Sequence, residues 1–162
     1  MGTAKYQTES RRVLHWDSLE QIGNELDRIE VADRKGELAA VGHWTPGQIL
    51  THLAAWIEYG YTGYPIDRPN LILRWLLRWM LPGFLSKGMR PGVRIPGIKA
   101  GTVGQEEVST ATGLQRYRAA LKRLESGEPC TYDSPAFGPM SMADRVRLNI
   151  RHAELHLSFL RY

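Results

Sequence analysis

The chain has 162 residues, enough for one domain with a single buried core, and its 43% hydrophobic and 23% charged residues are ordinary for a globular protein. One cysteine, Cys130, excludes an intramolecular disulfide and fits a reducing compartment. The net charge of +4 is local: between Tyr64 and Ala100 seven cations (Arg68, Arg74, Arg78, Lys87, Arg90, Arg94, Lys99) stand against Asp67 alone, so that segment carries +6 and the remainder −2, which argues against a whole-domain nucleic-acid binder.

The N-terminus, MGTAKYQTESRR, lacks the apolar run of a secretory leader, and Tyr6 spoils the acylation pattern that Gly2 would open. A cytoplasmic location is therefore expected. Asp17-Ser18-Leu19-Glu20-Gln21 opens a first helix, with Ser18 as cap and Gln21 where a capping-box partner belongs. Leu19, Ile22, Leu26 and Ile29 recur at helical spacing up to a stop near Gly36.

Thr45-Pro46-Gly47-Gln48 combines a capping Thr, a Pro at the first helical position and Gln at the third. The second helix runs through Ile49, Leu53, Trp56 and Ile57 to Gly60 or Gly63. Asn70 caps a third, LILRWLLRWML, which Pro82-Gly83 should stop. A Pro- and Gly-rich loop from Pro82 to about Gly104 follows. A fourth helix is predicted over Glu106 to Glu125 with Leu114, Tyr117, Ala120, Leu121 and Leu124 as its apolar stripe. After a loop holding Pro129, Pro135, Gly138 and Pro139, Ser141-Met142-Ala143-Asp144 opens the last helix, which runs towards Tyr162. No segment alternates cleanly and no Asn-Gly or Asp-Gly turn occurs, so strands are not expected. The expectation is all-α: one domain over 1–162, four main helices, and an insertion at about 64–104.

Five histidines occur: His15, His43, His52, His152 and His156. His152 and His156 are four apart on the last helix and share a face. Such a pair can bind one metal ion, and His52, on another amphipathic helix, is the obvious third ligand. The competing readings are hydrogen-bonded core histidines, or a chance i,i+4 pair on a solvent face. HAELH is not a metalloprotease signature: Ala153 stands where the catalytic Glu belongs, Leu155 excludes the inverted form, and Glu154 points to the opposite face. Gln48, one turn before His52, could orient a bound ligand, although a capping-box role competes. His15 and His43 are proton-shuttle candidates in the loosest sense, with packing or surface roles competing, and Cys130 is a candidate reactive thiol, with inert packing competing.

Arg74 and Arg78 share a face beside Trp75 and Trp79. That helix has three readings: a core or dimer-interface helix with snorkelling arginines, a lid over the metal whose Arg74, Arg78 and Arg90 attract an anionic substrate, or an interfacial membrane helix. It is too short and too interrupted by Arg to span a bilayer.

The stretches Trp44-Thr45-Pro46-Gly47-Gln48-Ile49-Leu50-Thr51-His52-Leu53 and Arg151-His152-Ala153-Glu154-Leu155-His156-Leu157 resemble the second-helix and last-helix motifs of the DinB-like superfamily. Arg11-Arg12-Val13-Leu14 with Asp17-Ser18-Leu19, the GHWTPGQILTHLA block, GMRPG and RHAELHLSFL are similar to a bacterial branch of it known only as a domain of unknown function. The resemblance covers essentially the whole chain. It implies an up-down-down-up four-helix bundle, often dimeric, with His52, His152 and His156 holding nickel or zinc. Some relatives transfer small thiol cofactors and others isomerise or hydrolyse small substrates. Here the final His is followed by Leu157-Ser158-Phe159, where many members have Arg or Gly-Gln. The expected function is a metal-dependent hydrolase or thiol-dependent transferase acting on a small molecule. The alternative is a non-catalytic, dimerising metal- or ligand-binding module of a stress response. Neither nucleic acid nor a transmembrane segment is expected.

Overall fold

The structure is a computed structural model that describes residues 11–95 and 98–162. The leader and acylation readings of the N-terminus lie outside the described residues. Five helices and one two-residue strand pair make up the regular structure among them: α1 (Leu19–Lys35), β1 (Ala39–Ala40), α2 (Pro46–Thr62), α3 (Leu71–Lys87), α4 (Thr110–Glu125), α5 (Met142–Leu157) and β2 (Leu160–Arg161).

The caps explain where the helices begin. Ser18 with Gln21 and Thr45 with Gln48 each form a complete capping box, so two of the orphan N–H groups at each helix start are satisfied by side chains. Asn70, Ser109 and Ser141 cap α3, α4 and α5 by accepting from the N–H three residues on. Gly36, in the left-handed conformation at φ 72°, ends α1.

Three expectations need correction. Helix α3 does not stop at Pro82; it carries the proline internally and runs to Lys87. Pro82 cannot donate to the Arg78 carbonyl. The turns beyond it are nevertheless held: Leu81 and Leu85 are buried, and Arg151 Nε on α5 donates to the Leu85 carbonyl at 3.1 Å. Helix α4 starts four residues later than expected, at Thr110, because Ser109 caps it and the approach through Glu106 and Val108 is spent on α2. There Thr51 Oγ1 donates to the Glu106 carbonyl at 3.0 Å. Helix α5 ends at Leu157 instead of running on to Tyr162. The chain then turns so that Leu160–Arg161 pairs antiparallel with Ala40–Ala39, extended by Val41 N–H donating to Phe159 O at 2.8 Å.

From the predicted stripes the core takes Ile22, Leu26 and Ile29 of α1, Leu53 and Ile57 of α2, and Leu114, Tyr117 and Leu121 of α4; it adds Leu50 of α2 and Ile150, Ala153 and Leu157 of α5. Helix α2 packs most extensively on α4 and also meets α5, while α3 leans on α5. The α2–α4 approach is close. A Cβ added at Gly47 would sit 2.0 Å from the Val108 carbonyl oxygen, so only glycine fits under that strand of chain.

Two buried ion pairs anchor the ends. Glu25, 2% exposed, accepts from Arg12 at 2.5 Å and from the Tyr162 hydroxyl at 2.6 Å. Glu154 accepts from Arg151 and from the Trp16 N–H at 2.6 Å. Glu25 thereby ties the segment before α1 and the C-terminal Tyr162 to α1, and Glu154 ties that segment to α5.

Candidate metal centre

Helices α2 and α5 meet where both carry histidine. Ligand-type nitrogens of His52, His152 and His156 all lie within 4.8 Å of one another. His52 Nε2 and His152 Nε2 are 3.2 Å apart. Two nitrogens each about 2.0–2.1 Å from a tetrahedral metal ion stand roughly 3.3 Å apart, so this pair already has the ligand spacing of zinc-type coordination.

The tautomer of His52 follows from its neighbour. Its Nδ1 lies 2.8 Å from the Val103 carbonyl oxygen, which can only accept, so Nδ1 carries the proton and Nε2 presents a bare lone pair to the cluster. A main-chain carbonyl orienting a histidine through its far nitrogen is the usual outer support of a metal ligand. Val103 reaches this point because the next residue, Gly104, adopts φ +83° and lies against α2; a Cβ there would be 2.7 Å from Ala55 Cβ and 3.1 Å from the Tyr59 hydroxyl.

Aromatic rings close the sides. The Trp44 indole stacks on His156, with centroids 5.4 Å apart and planes 5° from parallel, and meets His52 edge-on at 4.9 Å. Trp56 stands edge-on to His52 and His152 at 6.0 and 5.9 Å. The resulting dry setting disfavours imidazolium. Burial lowers the His52 pKa to about 4, only partly offset by the Val103 hydrogen bond. Burial, then the neighbouring imidazoles, pushes His152 and His156 well below the usual histidine range, with Arg11 adding to the effect on His156. At neutral pH all three are uncharged and available as ligands.

The donor set fits a borderline divalent cation: three neutral imidazoles and, within that cluster, no carboxylate. The Trp56 indole N–H, on a ring edge-on to His52 and His152, is buried without an acceptor. His52 is 2% exposed, whereas His152 and His156 are half-buried, so the cluster is closed around α2 and retains access at α5.

The other residues singled out from sequence lie elsewhere. Gln48 Oε1 accepts the Thr45 N–H at 2.9 Å, which is the capping-box role. Arg78 donates to the carbonyls of Phe137 and Pro139 at 3.1 and 2.5 Å, and Arg74 lies beside Gly138. Arg90 is exposed in the turn after α3. Among the described residues no hydrogen bond or ion pair ties Arg74, Arg78 or Arg90 to the histidines. His43 is exposed, and His15 sits by Arg151 and Glu154. Glu154 faces away from the cluster, as its spacing required. Cys130 is half-buried against Gly60. Three participants escaped the sequence reading: Trp44, present in the His52 block without a role at the site, Trp56, counted only in the apolar run of the second helix, and Val103, whose contribution is a main-chain oxygen with no residue signature.

A family model described as "Protein of unknown function (DUF1569)" matches residues 8–162, and the chain belongs to that family. No curated protein and no solved structure matches it.

Proposed function

We propose that this DUF1569 chain is a metal-dependent protein of the DinB-like type, an up-down-down-up bundle in which His52, His152 and His156 hold one divalent ion, nickel or zinc. The observation that carries the reading is the convergence of three neutral imidazoles from α2 and α5, with Val103 fixing the tautomer of one of them. Three protein nitrogens leave a coordination position for a small molecule. Held by His52, His152 and His156, such an ion would supply the Lewis acidity that a hydrolase or a thiol-dependent transferase needs. The chain's own part is to orient and to exclude water. Val103 aims His52, and Trp44 and Trp56 wall the cluster.

One observation favours a non-catalytic metal- or ligand-binding role instead: Glu154, the carboxylate nearest the ligands in sequence, is consumed by Arg151 and Trp16. Metal analysis of tag-free protein tests the shared premise, and the expected result is about one nickel or zinc per chain. Protein that takes up neither ion at micromolar concentration overturns both readings. A screen of metal-loaded protein against low-molecular-weight thiols and small esters or amides then separates them: turnover supports the enzyme, and binding without turnover supports the module.

A further inference from the structure

Helix α3 is apolar on two opposite faces. One docks on α5 through Leu77, Leu81 and Leu85. The other turns outward: Leu71, Ile72, Trp75 and Trp79 are 78, 82, 71 and 73% exposed, with Leu76 and Met80 beside them. A helix apolar all round is expected to be covered on every side, and a contiguous patch of this kind marks an interaction site.

The charges around it say what covers it. Elsewhere among the described residues most arginines are neutralised: Arg12, Arg28, Arg34, Arg116, Arg118, Arg123, Arg145 and Arg151 each reach a carboxylate, while Arg11 and Arg147 do not. Among the described residues none of Arg68, Arg74, Arg78, Lys87, Arg90, Arg94 and Lys99 does; Arg78 and Arg94 bond main-chain carbonyls, which leave their charge uncompensated. A second copy meeting this face about a twofold axis would set these cations against themselves. An anionic lipid surface satisfies both halves: acyl chains for the indoles and aliphatic side chains, headgroup phosphates for the guanidiniums.

We infer that α3 is a peripheral membrane-docking helix that lays Leu71, Ile72, Trp75 and Trp79 into the interface of an anionic bilayer, with the insertion's cations on its phosphates. It docks on the surface without crossing it; no helix among the described residues is long and apolar enough to span a membrane. The inference is independent of the metal centre.

The test is cosedimentation of the full chain with phosphatidylcholine vesicles, pure or containing about 30% phosphatidylglycerol, at low and high salt. Binding is expected only to the anionic vesicles and should weaken with salt. Two double variants at exposed positions, Trp75→Ser/Trp79→Ser and Arg68→Glu/Arg90→Glu, should each lower the partition coefficient at least about tenfold while leaving the melting temperature and metal content in place. Absence of wild-type binding, equal binding to neutral vesicles, or binding that survives both variants overturns the inference. So does concentration-dependent dimerisation by sedimentation velocity that the Trp variant abolishes in a protein that ignores vesicles, because a second copy is then the occupant.

Discussion

The histidine cluster and the outer face of α3 are opposite solutions for difficult side chains. In the cluster one polar ring is buried and two are half-buried, and the one whose bonding is fixed is oriented by a carbonyl; the cluster's nitrogens converge, and removal from water strips the rings of charge. On α3, large apolar side chains are left in solvent and the cations beside them are left without carboxylates. The cluster spends folding energy to assemble a site inside the chain. The helix face spends none, since it is complete only against something else. A polar group inside and an apolar group outside are both informative, because each runs against the ordinary partition of side chains.

The largest effect that would break this contrast is on metal affinity. His52→Ala should weaken nickel or zinc binding by more than about 100-fold in calorimetric titration, since two ligands rarely hold such an ion. The thermal stabilisation conferred by added metal should vanish with it. In the wild type that stabilisation is worth about 2.7 kcal/mol at a hundredfold excess over Kd. An unchanged melting response to metal in the variant would mean that the cluster is ordinary core.

The pH response comes next. In the metal-free protein the three imidazoles have folded pKa values below 6.5, with His52 at about 4. The unfolded chain therefore binds protons that the folded chain does not. Stability should be full above about pH 6.5 and fall as the pH drops towards 4, with a slope of up to about 1.4 kcal/mol per pH unit for each imidazole. Denaturant melts of metal-free His152→Gln, compared with the wild type across that window, should show a shallower slope. Identical slopes would mean that the buried rings do not stay neutral.

Gly104→Ala sharpens the outer support. The added Cβ meets Ala55 and forces a positive φ on alanine, so the Val103 carbonyl must withdraw from His52. A loss of about 10–100-fold in metal affinity is expected, with the helix content kept. Gln48→Ala should do the reverse, costing about 1 kcal/mol in denaturant titration through the broken capping box while leaving metal affinity unchanged. A large affinity loss would restore Gln48 to the site. The smallest effect belongs to α3: Trp75→Ser/Trp79→Ser should move the unfolding free energy by no more than about 0.5 kcal/mol, whereas Leu85→Ala, on the docked face of the same helix, should cost about 2–5 kcal/mol.

What could be read from sequence alone was the local chemistry. Ser18, Thr45, Asn70 and Ser141 announce helix starts because a cap and its N–H partner lie three residues apart. The apolar stripes announce the core for the same reason of spacing. His152 and His156 share a face by periodicity, and His52 was suggested by its own amphipathic helix and by the resemblance of its block. What escaped depends on distant partners. Pro82 reads as a stop until Arg151, 69 positions on, is seen to hold the Leu85 carbonyl. The late start of α4 depends on Thr51 reaching back to Glu106. The terminal strand pair joins residues 39–40 to 160–161, which no local alternation reports.

The hydrogen bond from His52 to residue 103 has an uneven exposure to genetic change. Its acceptor belongs to the peptide backbone, which every amino acid supplies, so no substitution at position 103 deletes it directly. Its geometry, in contrast, is vulnerable one position later, where a glycine is required. Drift in this loop is thus tolerated at the residue that makes the contact and penalised at the neighbour that makes none.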